Sequence, residues 1–160
     1  MRRDPAEPPP VMTLPQGPER LLIFELASGR YALREAAVAG LIECRPLHAV
    51  PGAPAAVIGL TDWRGHVMTL IDLHQVLDDA PGQGQACIVR LAAPLERSAL
   101  RVHATLRPVE TPVAMIEESR VEGDAPWVQC RLEHDGRIVS LLDPQAIIRR
   151  VVASMAEQHC

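Results

Sequence analysis

The apolar residues of the chain fall into short runs separated by turn-forming residues. The first two runs, RLLIFEL and GRYAL, lie on either side of the turn ASG, and this pattern predicts a β-hairpin. The next segment, REAAVAGLIEC, places Ala36, Val38 and Leu41 near helical spacing and predicts a short helix that runs into a strand. Most of the chain therefore reads as short strands rather than long helices.

The stretch GLTDWRGHVMTLIDLHQVLDD, residues 59–79, contains two apolar runs joined by a turn. Such a turn requires only residues that tolerate a positive φ, usually glycine, asparagine or aspartate. This one carries Trp63 and Arg64 between Asp62 and Gly65. A tryptophan between strands is often partly buried packing, and a single turn arginine is often only solvated. The residues alone leave open whether this turn binds a partner.

An internal repeat gives the clearest information on organisation. GHVMTLIDLHQVL at 65–77 aligns without a gap with GRIVSLLDPQAII at 136–148. Asp72 and Asp143 occupy equivalent places in the two copies, so we interpret them as helix N-caps rather than as a catalytic pair. Pro144 follows Asp143, the favoured order of N-cap and first helical residue. With about five short strands per copy, the repeat predicts two small β-barrels.

The expected boundaries follow from this repeat. The first 19 residues contain six prolines and no apolar periodicity, and we expect them to be a disordered tail. The first barrel is expected at about residues 20–80 and the second at about 85–148. A C-terminal helix is expected at about 144–157.

Composition removes several classes of function. The net charge of −4 and only four aromatic residues argue against nucleic-acid binding, which needs a basic surface with stacking rings. The four cysteines show no CxxC pair and the N-terminus has no secretion signal, so we expect a cytoplasmic protein with reduced thiols. The chain also lacks an apolar run long enough for a membrane helix, so no direct membrane insertion is expected.

The sequence shows little sign of catalytic chemistry. The nucleophile-elbow, P-loop and dinucleotide-binding patterns are absent. Cys44 and His48 form a lone C-x3-H pair, and structural zinc normally requires a second pair at short spacing. We therefore expect neither an enzyme nor a bound cofactor or metal.

The segment YALREAAVAGLIECRPLHAVPGAPAAVIGLTDWRGHVMTLIDL resembles the first half of a CheW-like domain. The family pattern has a tyrosine-containing strand, PGAP, a Gly-x-x-Asn-x-Arg-Gly turn and an apolar strand that ends in IDL. The resemblance covers about residues 20–150 and is most specific from Pro51 to Leu73. It implies an all-β fold of two tandem five-stranded SH3-like barrels with short helices and a C-terminal helix.

The resemblance also implies a function. CheW-like proteins are non-catalytic adaptors that couple the cytoplasmic tips of methyl-accepting chemoreceptors to the regulatory domain of a CheA-type histidine kinase. The partner-binding residues that it implies are Arg64 with Trp63, Asp62 and Gly65 at the turn. Val38 and Leu41 would border an apolar groove for the receptor.

This sequence departs from the family pattern at several positions. Asp62 stands where asparagine is usual, Trp63 where leucine or valine is usual, and Gly40 where glutamate is common. In the second copy His103 replaces a typical aspartate. An alternative interpretation is therefore a divergent scaffold of a specialised system, such as pilus-based motility, that binds another partner without coupling to the kinase.

Overall fold

The computed structural model describes residues 18–118 and 125–158. These ranges contain ten β-strands and three α-helices. The strands are β1 Pro18–Leu26, β2 Gly29–Arg34, β3 Val38–Glu43, β4 Val57–Trp63, β5 His66–Asp72, β6 Ala86–Leu91, β7 Ser98–His103, β8 Arg107–Pro112, β9 Val128–His134 and β10 Arg137–Leu142. The helices are α1 Leu73–Val76, α2 Val113–Glu118 and α3 Pro144–Gln158.

The strands form two five-stranded sheets. One sheet has the order β8-β1-β2-β10-β9 and the other the order β3-β6-β7-β5-β4. In each sheet the pairing is antiparallel except for one central pair, β2 with β10 in the first and β7 with β5 in the second. The two orders become identical when β1–β5 are matched with β6–β10. The structure therefore has the two five-stranded units that the sequence repeat predicts.

The division of strands between the sheets differs from the expected ranges of about 20–80 and 85–148. The hairpin β1–β2 pairs with β8, β9 and β10, and the hairpin β6–β7 pairs with β3, β4 and β5. Each sheet thus combines two strands of one copy with three strands of the other. A repeat identifies equivalent segments, but it does not determine which copy a hairpin joins, because both pairings bury the same alternating face. Tertiary packing makes that choice.

At the two ends of the described chain, the structure can be compared with the expected tail and the expected C-terminal helix. Residues 1–17 of the expected tail lie outside the described residues, whereas Pro18 and Glu19 already belong to β1 and pair with β8. Proline is tolerated at this place because a first strand residue need not donate to the ladder. At the other end α3 begins at Pro144, and the backbone N–H of Gln145 donates to Asp143 Oδ1 at 3.0 Å. The expected C-terminal helix and its aspartate cap are confirmed.

The segment REAAVAGLIEC is expected to hold a short helix that runs into a strand; the strand is confirmed as β3, whereas the helix is shorter than its apolar spacing predicts. Only a single 3-10 turn forms, at Glu35–Ala37, and β3 starts directly at Val38. The segment from Val38 pairs antiparallel with β6, and it contains the β-branched residues Val38 and Ile42 as well as Gly40, all of which are less favourable in a helix than alanine or leucine. The backbone hydrogen bonds offered by β6 therefore outweigh a weak helical periodicity.

Within the described ranges, three apolar clusters form the core. One cluster lies within the sheet β8-β1-β2-β10-β9 and a second within the sheet β3-β6-β7-β5-β4, and the third joins both sheets and α3. Alternate residues of the central strands belong to different clusters: Ala32 and Ala99 face the cores of their own sheets, whereas Leu33 and Leu100 face the shared core. These strands are therefore buried on both faces, which explains their nearly continuous apolar runs.

None of the helices in the described ranges is long and apolar enough to cross a membrane.

Candidate functional site

The turn between β4 and β5 has an unfavourable residue at its first central position. Arg64 has φ 48° and Gly65 has φ 82°, as in a type I′ turn. The equivalent turn between β9 and β10 has the same conformation, with Asp135 at φ 50° and Gly136 at φ 72°. The left-handed region costs an ordinary residue about 1–2 kcal/mol, and aspartate tolerates it better than arginine does. The equivalent turn between β9 and β10 forms with Asp-Gly, so a turn of this type does not require an arginine for folding.

Trp63 combines a packing role with a contact role. Its side chain is half-buried and packs against the cluster of Met68, Leu70, Ile88 and Ala99. The alternative of core or rim packing is thus correct for one side of the indole. The guanidinium carbons of three arginines lie near the same ring, at 5.4 Å for Arg45 and 5.0 Å for both Arg64 and Arg90. We call Trp63 with these three arginines the arginine cluster.

Arg90 reaches the ring from the interior face of β6. Arg90 lies opposite Ala99 on β7. At the equivalent place in the other sheet, Ile23 lies opposite Ala32. An apolar core position in one copy is therefore an arginine in the other. Gly40 on the neighbouring strand leaves the space, because a Cβ at that position would lie 2.9 Å from Arg90 Nη2. The unusual glycine and the half-buried arginine thus belong to one local arrangement.

The arginine cluster carries uncompensated positive charge. Arg64 makes no ion pair with the neighbouring Asp62, and none of the three arginines has a carboxylate within ion-pair distance in the ranges 18–118 and 125–158. Arg90 Nη2 donates to the carbonyl oxygen of Ala39 at 3.4 Å. Three cations around a single indole leave a surface suited to an acidic partner.

The other predicted turn residues are exposed, but Asp62 and Val67 alternate with Trp63 along their strands and so point to the other face of the sheet. Asp62 and Gly65 are exposed, as a partner-binding role requires. Val67 lies opposite Asp62 in the register and is 62% exposed. An exposed apolar side chain of this kind is often part of a binding surface. The turn therefore offers both charge and apolar area.

Val38 and Leu41 lie on a different face. A bulge between Val38 and Gly40 places both side chains on the side of β6 that carries Leu91 and Val89, away from Trp63. Val38 packs against the shared core, and Leu41 is 48% exposed at the edge of the sheet. The structure thus separates the predicted residues into the turn surface and an apolar edge.

Sequence reasoning missed Arg45, Arg90 and Val67. Arg45 and Arg90 are distant from the turn in sequence, and only the closure of the sheet brings them to Trp63. The repeat contained one signal for Arg90. This arginine interrupts the apolar run of β6, whereas the equivalent strand β1 is apolar throughout its centre.

The carboxylate of Asp72 does not cap α1, so that prediction is wrong. Its side chain makes no cap hydrogen bond and is buried. Arg101 Nη2 donates to Asp72 Oδ2 at 2.9 Å, since the parallel register of β5 and β7 places these residues side by side. His74 Nδ1 lies 2.8 Å from Asp72 Oδ1. A salt bridge available in the folded state takes the place of the local cap.

The duplicated five-stranded sheets, with the arginine cluster beside one turn, define a protein of the double β-barrel class. The chain belongs to the CheW-like domain family, whose model matches residues 20–152. The fold class implied by the resemblance is therefore confirmed. This membership supports an adaptor or scaffold role and not an enzymatic one.

A solved structure shows the same architecture. The chain is similar to the scaffolding protein TtCheW from Thermoanaerobacter tengcongensis, with a TM-score of 0.70 and 17% sequence identity over 79% of this chain and 89% of that one. At this identity the likeness establishes the fold. No curated protein matches the chain.

Proposed function

We propose that this protein is a non-catalytic cytoplasmic adaptor of a bacterial chemosensory array that couples chemoreceptors to a CheA-type histidine kinase. Membership of the CheW-like family supports the array, and the scaffold role of TtCheW supports the adaptor. The observation that carries the proposal is Arg64, which occupies a strained turn position that the duplicate turn fills with aspartate. Backbone strain that folding does not require is a recurrent feature of functional sites.

The turn surface is the proposed contact for the kinase regulatory domain. Arg64 and Arg45 offer guanidinium forks to carboxylates, and Trp63 holds them in place on one ring. Asp62, Gly65 and Val67 would form the border of this contact. A few well-ordered anchors determine affinity more than total buried area does.

The apolar edge is the proposed contact for the receptor tip. Leu41 is exposed, whereas Val38 is fixed by the shared core behind it. A receptor helix would bury Leu41 in the manner of an amphipathic helix against an apolar groove. Because the turn and this edge are on different faces, both partners could bind at once.

The test is calorimetric titration of the purified protein with the kinase regulatory domain and, separately, with a receptor-tip fragment. Arg64→Glu should weaken kinase binding by roughly 2–5 kcal/mol, the range for disrupting a hydrogen-bonded interfacial charge. Arg149→Glu is the matched control, because this arginine is exposed on α3 and makes only a 3.9 Å pair with Asp143. Equal kinase affinity of both variants and the parent would contradict the assignment of the turn.

A second candidate is a divergent scaffold that binds a different partner without coupling to the kinase. The arginine cluster favours it, because Trp63 and Arg90 form a surface unlike a leucine- or valine-bearing turn. Receptor binding with no measurable kinase binding, together with an Arg64-dependent interaction with another array protein, would support this candidate instead.

A further inference from the structure

Three metal-binding residue types meet outside the proposed docking surfaces. Asp72 ends β5, His74 lies in α1, and His103 ends β7. Because β5 and β7 are parallel neighbours, their carboxyl ends lie side by side. One oxygen or nitrogen atom from each of the three residues lies within 4.8 Å of the others. Among the described residues, these three form the group of His, Cys, Asp or Glu side chains close enough together to hold a metal ion. Cys44 and His48 do not belong to it.

The hydrogen bonding of this group is incomplete. Asp72 Oδ1 and His74 Nδ1 are only 2.8 Å apart, yet both atoms are buried and lack a hydrogen-bond partner among the described residues. The imidazole is therefore not oriented to donate a proton to the carboxylate. The Nδ1 atom of His103 is also buried and unpartnered. Buried polar atoms of native proteins are nearly always paired. These three atoms, together with the donor Nε of the adjacent Arg101, have no partner in the described part of the chain, so the three are open to a further ligand.

A cation would take one ligand atom from each of the three residues, since these atoms lie within 4.8 Å of one another. Two ligand atoms bound about 2.0–2.1 Å from one zinc ion at adjacent positions lie about 2.9–3.4 Å apart, close to the spacing of Asp72 and His74. The rings of His74 and His103 have centroids 5.8 Å apart and an interplanar angle of 65°, so they are not stacked on each other.

We propose that Asp72, His74 and His103 bind a divalent transition ion of the zinc class. Two imidazoles and one carboxylate suit zinc, with water at the fourth position. Arg101 would hold the second oxygen of Asp72, the type of outer contact that orients a ligating carboxylate. Its charge lowers the net negative charge of the site and so limits affinity. The bound ion would tie the start of α1 to the end of β7.

The other copy provides an internal comparison. Asp143 and Gln145 are the equivalents of Asp72 and His74, and by the same register Ala36 is the equivalent of His103. There the carboxylate caps α3 through the backbone N–H of Gln145. The copy without the histidines thus uses its aspartate for capping. The copy with two histidines does not.

The experiment is equilibrium dialysis of the tag-free, reduced full chain against Zn²⁺, followed by elemental analysis and by Co²⁺ absorption spectroscopy. The test variant carries His74→Gln and His103→Ala, which install the residues of the other copy. The control variant is His66→Gln, because His66 is exposed in β5. Circular dichroism checks that each variant is folded.

The expected result is one Zn²⁺ per chain in the parent and control, with affinity in the double variant weaker by at least about tenfold. Nitrogen- and oxygen-ligated Co²⁺ should give visible bands without thiolate charge transfer. Absence of Zn²⁺ from the dialysed parent, equal binding by the double variant, or a thiolate band that persists in it would each overturn the proposal. The outcome is independent of kinase or receptor binding, since neither partner is present.

Discussion

Replacing Trp63 by leucine tests how the arginine cluster is held. Leucine retains apolar contact with Met68 and Leu70 but removes the ring that faces Arg45, Arg64 and Arg90. Each exposed cation–π contact contributes about 0.5–1 kcal/mol, so three would contribute about 1.5–3 kcal/mol. Repulsion between the three guanidinium groups opposes part of this. We expect Trp63→Leu to lower the free energy of unfolding by about 2 kcal/mol.

The sharper expectation concerns coupling between positions. With the indole present, Arg90→Met removes a favourable contact and should destabilise the fold modestly. In the Trp63→Leu background the same change removes a partly buried cation that has lost its ring, so it should be neutral or stabilising. The two substitutions should therefore be non-additive by at least about 0.5–1 kcal/mol.

The assay is urea unfolding followed by far-ultraviolet circular dichroism, which avoids dependence on indole fluorescence. The parent, both single variants and the double variant complete the cycle, and Arg149→Met serves as a control far from the ring. Additivity within about 0.3–0.5 kcal/mol would refute the claim that the indole holds these cations. Similar losses for Arg149→Met would show a general charge effect instead.

Three further predictions concern other parts of the molecule. Gly59→Ala should lower the free energy of unfolding in urea by about 1–3 kcal/mol, because Gly59 has φ 154° and a Cβ would lie 2.6 Å from the carbonyl oxygen of His48. An unchanged free energy of unfolding would show that the backbone moves to remove this contact without cost. Burial opposes ionisation of Asp79, but hydrogen bonds led by that from the Ser28 side chain outweigh it and hold the pKa below 3.8. The stabilisation is therefore present above that value and lost as pH falls through the lowered pKa, so the parent should be more stable than Asp79→Asn at neutral pH, with a gap that closes in acid; a pH-independent gap would contradict this. Burial raises the pKa of the Cys87 thiol above 9.0, with a further contribution from nearby Cys44; mass-spectrometric mapping should find Cys87 alkylated more slowly than a model thiol at pH 8, and an equal rate would contradict the shift.

The candidate site was only partly predictable. Arg64 and Trp63 could be identified because they occupy a turn that glycine and aspartate would satisfy. Arg90 could not be assigned to the same site, since its contact with Trp63 depends on closure of a sheet whose strands are distant in sequence. The cluster of Asp72, His74 and His103 was likewise hidden, because the position of Asp72 indicated a helix cap and its neighbours come from different elements.

The repeat between 65–77 and 136–148 was sufficient, without structural knowledge, to establish that the chain contains two equivalent β units, each with a helix directly after the repeated strand. Local patterns determine this much, since strand alternation, turn residues and helix starts depend on neighbouring residues. The exchange of the hairpins β1–β2 and β6–β7 between the two sheets was decided only by tertiary structure. Either pairing satisfies the same backbone hydrogen bonds and the same alternating faces, so the choice depends on packing between residues far apart in the chain.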